Sequence, residues 1–120
     1  MREDDPPKGF KLEQNYPNPF NPETRIPFTL DESLFEDGEP PAVSIRIFNI
    51  LTQYVASPVA LRVPGGDRLP VLQMEYPAPG RYEAYWDGRD RNGNLVASGI
   101  YLVQMTVGGK KDFIKMFVTK

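Results

Sequence analysis

The chain of 120 residues contains neither cysteine nor histidine. Without cysteine there is no disulfide, no thiolate nucleophile and no cysteine-based zinc site. Without histidine the commonest general base and the commonest metal ligand are missing, which excludes a serine hydrolase of the usual kind. The sequence therefore predicts a protein that is not an enzyme and that holds no cofactor.

Long apolar runs and long runs of one charge are missing as well. No stretch approaches the roughly 20 apolar residues that a membrane-spanning helix needs, and there is no basic stripe suited to nucleic acid. The formal net charge is −2, from 14 basic and 16 acidic residues. We expect no membrane insertion, no nucleic-acid partner and no small-molecule substrate.

The chain instead has 13 prolines and 10 glycines, which divide it into many short segments. Between them apolar and polar residues alternate with the period of two that half-buried strands show, as in Val43–Ile47 and Tyr82–Trp86. Seven such runs predict an all-β fold, an Ig-like antiparallel β-sandwich of about seven strands over residues 10–120. Residues 1–9 are charged and proline-rich, which predicts a flexible tail or linker without the apolar segment of a signal peptide.

Two prolines and one acidic stretch modify this pattern. Pro27 stands inside the run Ile26–Leu30 and predicts an edge strand, because proline donates no backbone hydrogen bond. Pro58 interrupts a weaker predicted strand over residues 54–63. The acidic connection at residues 31–41 carries two apolar residues and predicts a single helical turn.

The loop at residues 87–94 is a candidate metal site. Three polar residues stand at alternate positions, as oxygen ligands do in a calcium loop: Asp90, Asn92 and Asn94. The bidentate glutamate of such loops is absent before Tyr101, and Asn92-Gly93 is typical of a tight hairpin turn. We favour the plain turn and keep calcium binding as the alternative.

Aromatic residues cluster near the same loop. Tyr82 and Trp86 share one face of a predicted strand, and with Tyr101 they are assigned to the structural core, where an inward tryptophan anchors many sandwiches. Tyr85 points the other way. Tyr85 and the loop at residues 87–94 would form the sugar-stacking platform of a carbohydrate-binding module, which is an alternative interpretation.

The last predicted strand has two distinct faces. Its inward positions are apolar throughout: Ile114, Met116 and Val118. Phe113 and Phe117 then point outward on either side of Lys115. They form either a patch for a partner or a surface covered by the N-terminal segment, and cover is favoured because the aromatics of that segment must pack somewhere. The candidate partner-recognition residues are the outward ones and the neighbouring lysines: Lys110, Lys111, Phe113, Lys115 and Phe117.

The N-terminal arm is the most distinctive segment of the sequence. It consists of two aromatics set among asparagine and prolines: Tyr16, Pro17, Asn18, Pro19 and Phe20. Each proline fixes φ and keeps the preceding residue out of the helical region. The arm is therefore predicted to enter the next strand as an extended, kinked segment.

Several motifs follow one another along the chain: Gln14–Pro22, Val43–Asn49, Pro79–Tyr82, Trp86–Gly88 and Ala97–Tyr101. In this order they resemble the C-terminal sorting domain of the type IX secretion pathway, and also the related Ig-like domain of flagellar hook-capping proteins. One departure is Thr52, which replaces the family's usual glycine before Gln53 and puts a turn with positive φ in doubt.

The resemblance implies a non-enzymatic module of a bacterial protein that is exported and lies outside the cell or on its surface. The expected partner is the outer-membrane secretion machinery, which would recognise the exposed edge of the last strand, Phe113–Lys120, by strand addition. The alternative is a structural subunit that assembles with copies of itself. In that case the arm of one copy completes a neighbour's sandwich and builds a filament.

Overall fold

The computed structural model describes residues 9–119, so most of the predicted tail at residues 1–9 lies outside the described residues. Within that part, nine strands form two antiparallel sheets and an Ig-like β-sandwich, which confirms the predicted fold class but exceeds the expected seven strands. The strands are β1 (Phe10–Leu12), β2 (Thr24–Leu30), β3 (Ala42–Phe48), β4 (Tyr54–Ala56), β5 (Val59–Ala60), β6 (Met74–Glu75), β7 (Gly80–Trp86), β8 (Gly99–Val107) and β9 (Lys110–Val118). A 3₁₀ helix, Glu32–Phe35, is the predicted turn of the acidic connection. No helix of the described residues has the length and apolar content to cross a membrane.

Each sheet combines strands from distant parts of the sequence. The first sheet has the order β1-β2-β7-β5, and the second has the order β4-β3-β8-β9, with β6 also paired to β3. β8 and β9 form a long hairpin around the turn at residues 108–109, with Val107 opposite Lys110 and Gly99 opposite Val118. This register decides which side chains of β9 face the core and which face solvent.

The prediction that Pro27 marks an edge strand is wrong, since β2 lies between β1 and β7. The Pro27 carbonyl accepts a hydrogen bond from the Glu13 amide at 2.9 Å, but proline has no N–H to donate in return. Ladder pairing with β1 accordingly ends at Leu12, opposite Phe28. The proline therefore shortens the neighbouring strand instead of excluding it.

Pro58 separates two short strands rather than interrupting one. β4 precedes it and pairs with β3 in the second sheet, whereas β5 follows it and pairs with β7 in the first sheet, so the chain changes sheets here. Val71 bridges the two sides, because its carbonyl accepts from the Ile45 amide at 2.8 Å and its amide donates to the Pro58 carbonyl at 2.9 Å. Strands of two or three residues are too short to show a period in the sequence.

The core lies between the sheets and is built from alternate strand residues. Its largest fully buried side chains are Tyr76, Phe10, Phe20, Phe28, Ile26, Leu30, Ile45, Ile47, Met105, Met116, Val43 and Val71. Trp86 and Tyr101 are also buried, with ring centres 5.9 Å apart, and Tyr82 is half-buried. The Tyr76 hydroxyl has no hydrogen-bond partner among the described residues, and burial raises its pKa.

Thr52 adopts a φ of +63°, the conformation that a glycine would favour at this position. Its turn is closed by Asn49, whose side-chain oxygen accepts hydrogen bonds from the amides of Leu51 and Gln53, both at 3.0 Å. The Thr52 amide donates to the Asn49 carbonyl at 2.9 Å. Because a β-branched residue is strained in this region, the asparagine contacts hold a turn that threonine disfavours.

Candidate recognition surface

The outward face of the second sheet includes a set of five apolar residues and three cations on β3, β8 and β9. Their positions follow from the cross-strand register: Phe48, Ile100, Leu102, Phe113 and Phe117, with Arg46, Lys111 and Lys115. Phe117 lies opposite Ile100, and Lys115 lies opposite Leu102, which is in turn opposite Phe48. These eight residues are named the apolar–basic face.

The outermost apolar side chains of this face are open to solvent. Phe113 is 54% exposed, and Phe117 and Ile100 are each 42% exposed. Met116 and Val118 point the other way and are buried, so β9 has the two faces that its alternation predicts. The expectation that the N-terminal arm covers Phe113 and Phe117 is wrong, because the arm is engaged with the backbone of β9 rather than with these rings.

The cations of the apolar–basic face have no carboxylate partner among the described residues. Arg46, Lys111 and Lys115 form no ion pair there, and neither does the adjacent Lys110. The ion pairs of the described residues lie on the first sheet instead. Within the described part of the chain, these four cations therefore differ from the arginines of the first sheet, which are paired with carboxylates.

The N-terminal arm closes the outer edge of β9. The Phe20 amide donates to the Phe117 carbonyl at 3.0 Å, and the Phe20 carbonyl accepts from the Thr119 amide at 2.9 Å. The side-chain oxygen of Asn18 accepts from the Phe117 amide at 2.9 Å. The prediction of an exposed edge over Phe113–Lys120 is therefore wrong where the arm lies, because these backbone groups are already paired.

The arm is anchored inside its own sandwich. Phe20 is 1% exposed, and its ring packs edge-on against Trp86 with the ring centres 5.6 Å apart. Asn15 is also buried, and its side-chain amide donates to the Thr24 hydroxyl at 3.0 Å. The Tyr16 hydroxyl donates to the Glu83 carboxylate on the outer face of the first sheet. These contacts attach the arm to the first sheet, and its backbone hydrogen bonds with β9 attach it to the second.

The other sheet edges are engaged as well. Four hydrogen bonds reach them from neighbouring segments: Leu12 N to Asp112 Oδ2 at 2.9 Å, Gln14 Nε2 to Lys115 O at 2.7 Å, Ala60 N to Leu69 O at 2.8 Å and Arg91 N to Val55 O at 3.1 Å. Paired edges do not offer the row of open donors and acceptors that strand addition requires. The exposed face is the better candidate for recognition.

Glu83 organises the outer face of the first sheet, and the sequence analysis did not single it out. It is only 6% exposed, and three guanidinium groups approach its carboxylate at 3.3 Å each, from Arg25, Arg62 and Arg81. Burial raises the pKa of the Glu83 carboxyl, but hydrogen bonds from Tyr16 and Arg25 and the charge of Arg81 outweigh it and leave the pKa below its usual value. Arg81 stands two residues before Glu83 on β7, whereas Arg25 and Arg62 come from other segments and have no local signal in the sequence.

The loop at residues 87–94 is closed by Asp90. Its side-chain oxygen accepts hydrogen bonds from the Asn92 amide at 2.9 Å and the Asn94 amide at 3.0 Å. The Gly93 amide donates to the Asp90 carbonyl at 3.0 Å. This is the geometry of a side-chain-supported turn, and no group of three or more acidic residues able to hold a metal ion occurs among the described residues.

One face of the Tyr85 ring is covered by Arg68. The Arg68 guanidinium lies 5.5 Å from the ring centre, and the Tyr85 hydroxyl donates to the Glu23 carboxylate at 2.5 Å. The hydrogen bond to Glu23, followed by burial, raises the pKa of Tyr85 to about 12. On the second sheet Arg91 covers Tyr54 in the same way, at 4.5 Å. Both rings already have a partner on one side.

The chain is thus an Ig-like β-sandwich domain with an exposed apolar–basic face. No protein-family model and no curated protein matches it. Among solved structures it is similar to dimeric latent PorU from Porphyromonas gingivalis, with 19% identity and a TM-score of 0.59. It is also similar to PorZ, described as an essential bacterial surface component of the type IX secretion system of Porphyromonas gingivalis, with 21% identity and a TM-score of 0.52.

Both similarities extend over nearly the whole of this domain. They cover 92% of this chain and 9% of the PorU chain, and 94% of this chain and 12% of the PorZ chain. The chain therefore spans about a tenth of the length of either protein. At these identities the likeness shows the fold, which a component of the type IX secretion system shares.

Proposed function

We propose that this chain is a non-enzymatic Ig-like module of a bacterial secreted or cell-surface protein, recognised for export and for attachment to the cell surface. The observation that carries the proposal is the apolar–basic face, where Phe113 and Phe117 are exposed although the neighbouring strand edge is closed. Exposed apolar patches of this kind mark protein-interaction sites. The fold likeness to PorZ, a surface component of the type IX secretion system, supports the setting of secretion.

Recognition takes place through the face rather than by strand addition. A partner strand at the edge of β9 would have to displace the arm, including the buried side chain of Phe20. Covering Phe113 and Phe117 requires no such displacement. Burial of these rings supplies the favourable free energy of binding, and the lysines beside them orient the partner through complementary charge. The outer-membrane secretion machinery is the expected partner.

Export of a reporter protein tests this proposal. The reporter is fused ahead of the chain and expressed in a bacterium that has a type IX secretion system. The variant Phe113→Thr with Phe117→Thr removes both rings and keeps the strand, because threonine is a good β former. We expect its export to be lost.

A matched control uses two other exposed apolar side chains. Leu69 is 53% exposed and Leu95 is 48% exposed, and neither belongs to the apolar–basic face. Leu69→Thr with Leu95→Thr should leave export unchanged, with circular dichroism melting used to confirm that both double variants are folded. Normal export of the phenylalanine variant, or equal loss in both variants, would contradict recognition through this face.

The contacts of the arm and of Tyr85 argue against filament assembly and against carbohydrate binding. Filament assembly by strand complementation requires the arm to leave its own sandwich, yet Phe20 is buried there against Trp86. A carbohydrate-binding platform requires a free aromatic ring, yet Arg68 covers one side of Tyr85. Neither alternative has an observation in its favour.

A further inference from the structure

The charge of the apolar–basic face is opposite in sign to that of the whole chain. The formal net charge of the chain is −2, but the face holds three cations, Arg46, Lys111 and Lys115, without a carboxylate partner among the described residues. The outward positions of β3, β8 and β9 carry no carboxylate. Asp112 of β9 stands at an inward position opposite Met105, and its side chain accepts a hydrogen bond from the Leu12 amide at 2.9 Å. The face is thus locally basic.

Cations and apolar groups are interleaved on this face. Along β9 the outward residues are Phe113, Lys115 and Phe117, which stand about 6.5–7 Å apart because alternate residues of a strand share a face. Across the sheet Lys115 is opposite Leu102, and Arg46 is opposite Gln104, which is itself opposite Phe113. A partner that buries the rings therefore brings its own groups next to the cations.

The face does not complement itself. In a symmetric dimer the same surface of two copies would meet. The cations of one copy would then lie near those of the other with no carboxylate between them, which is unfavourable. Burial of Phe113 and Phe117 against a second copy would therefore bring Lys115 of each copy into repulsion.

We infer that the partner of the apolar–basic face is an acidic polypeptide segment with apolar side chains among its carboxylates. The inference rests on the proposed function and adds the chemistry of the partner. Apolar side chains cover Phe113, Phe117 and Ile100, and the carboxylates pair with Lys111, Lys115 and Arg46. Such pairs increase the association rate and select the partner by its charge.

A synthetic peptide with the sequence of residues 31–41 of this chain is a suitable probe. It has five carboxylates, two apolar side chains, Leu34 and Phe35, and no cation. In the folded protein these two side chains are half-buried against the core, so they are not free to bind a second copy as they are in the peptide. Binding to the full chain is followed by isothermal titration calorimetry and by nuclear magnetic resonance shifts of β8 and β9.

Two comparisons measure the role of charge. A second peptide with asparagine and glutamine in place of the acidic residues should bind about tenfold more weakly or more. Raising the salt concentration from about 0.05 M to about 0.5 M should lower the affinity of the acidic peptide for the protein and leave that of the neutral peptide nearly unchanged. Equal affinity of the two peptides, with no dependence on salt, would overturn the inference.

One pair of protein variants locates the contact. Lys115 lies on the face, and Lys115→Glu should lower the affinity of the acidic peptide about fivefold or more. Lys11→Glu is the matched control, because Lys11 is an exposed lysine of β1 on the first sheet. The control should bind the peptide normally. Equal loss in both variants, or no loss in either, would contradict the assigned surface.

Two further outcomes would identify a different occupant and overturn the inference. Sedimentation could show a self-association of the full chain that Lys115→Glu abolishes, which would make the occupant a second copy. The face could instead bind vesicles of phosphatidylglycerol and not the peptide. Failure of the inference remains distinct from failure of the proposed function, because export of the Phe113→Thr with Phe117→Thr variant measures the latter alone.

Discussion

The outer faces of the two sheets differ in whether their side chains have partners within the described part of the chain. On the first sheet, Glu83 is buried among three arginines, and the Tyr16 hydroxyl of the arm is bound to the same carboxylate. On the second sheet, Phe113 and Phe117 are exposed and Lys115 has no carboxylate partner among the described residues. Among the described residues, the first face therefore pairs its charges within the chain, whereas the second has cations without ion pairs beside exposed apolar side chains.

Under the proposed function, the first face is a structural surface and the second is the binding surface. Buried charges are retained when they are paired and hydrogen-bonded, and removing one partner then costs stability. Exposed side chains without partners contribute little to stability, so their substitution changes binding instead. We therefore expect stability to depend on the first face and recognition on the second.

The largest expected effect comes from the core that both faces enclose. Trp86→Ala should lower the free energy of unfolding by about 3–5 kcal/mol, because the 2%-exposed indole packs against Phe20 and Tyr101. Urea unfolding followed by circular dichroism measures the change. A stability close to that of the wild type would show that the sandwich does not depend on this side chain.

The next effect concerns the first sheet. Glu83→Gln should cost about 2 kcal/mol, since it leaves three guanidinium groups together without their carboxylate. Glu75→Gln is the matched control on the second sheet, where the carboxylate is exposed, and should change stability by less than about 0.5 kcal/mol. Equal effects in the two variants would remove the proposed difference between the faces.

Acid should remove the contribution of Glu83. Its pKa in the folded state lies below the usual value of 4.5, so its contribution is fully present above that value and is lost as the pH falls through the lowered pKa. The stability difference between wild type and Glu83→Gln should therefore be constant near neutral pH and shrink below about pH 4.5. Urea unfolding over a series of pH values measures it. A difference that persists undiminished in strong acid would contradict the assigned ionisation.

A smaller effect, of opposite sign, is expected inside the core. The buried Tyr76 hydroxyl has no hydrogen-bond partner among the described residues, whereas the buried Glu83 carboxylate is fully engaged. Tyr76→Phe should therefore stabilise the protein by about 1 kcal/mol, because it removes an unpaired polar group. Tyr82→Phe is the control, since it deletes a hydroxyl that donates to the Ala78 carbonyl at 2.6 Å and should not stabilise. A loss of stability in Tyr76→Phe would indicate an unrecognised partner of that hydroxyl.

The smallest effect on stability is expected on the apolar–basic face. Phe113→Thr with Phe117→Thr should change the free energy of unfolding by less than about 1 kcal/mol, because both rings are exposed and threonine keeps the strand propensity. Urea unfolding beside the wild type checks this value. A loss comparable with that of Trp86→Ala would mean that these rings support the fold.

The fold class and the long strands could be predicted from sequence because each has a local signal. Alternation from Phe113 to Val118 predicted Phe113 and Phe117 outward and Met116 and Val118 inward, and the structure agrees. Pro27 was misread, because proline excludes only the hydrogen bonds of its own N–H and not a strand on the same side of the chain.

The closed edge and the charge network could not be predicted from sequence. Asn18 pairs with Phe117 from 99 positions away, and a side-chain amide that completes a sheet leaves no periodic pattern. Arg81 is a neighbour of Glu83 on the same strand, but Arg25 and Arg62 are 58 and 21 positions away, and only the three-dimensional fold brings them to the carboxylate. The outward orientation of Phe113 and Phe117 could therefore be predicted from sequence, whereas the closure of the neighbouring strand edge by the arm could not.

The central claim is that stability and recognition belong to opposite faces of one sandwich. The most direct measurement determines both properties for Glu83→Gln and for Phe113→Thr with Phe117→Thr, by urea unfolding and by export of a fused reporter. We expect the first variant to lose about 2 kcal/mol and still to be exported, and the second to keep its stability and lose export. Normal export of the phenylalanine variant would contradict the claim. A loss of export that is explained by unfolding of this variant would contradict it as well.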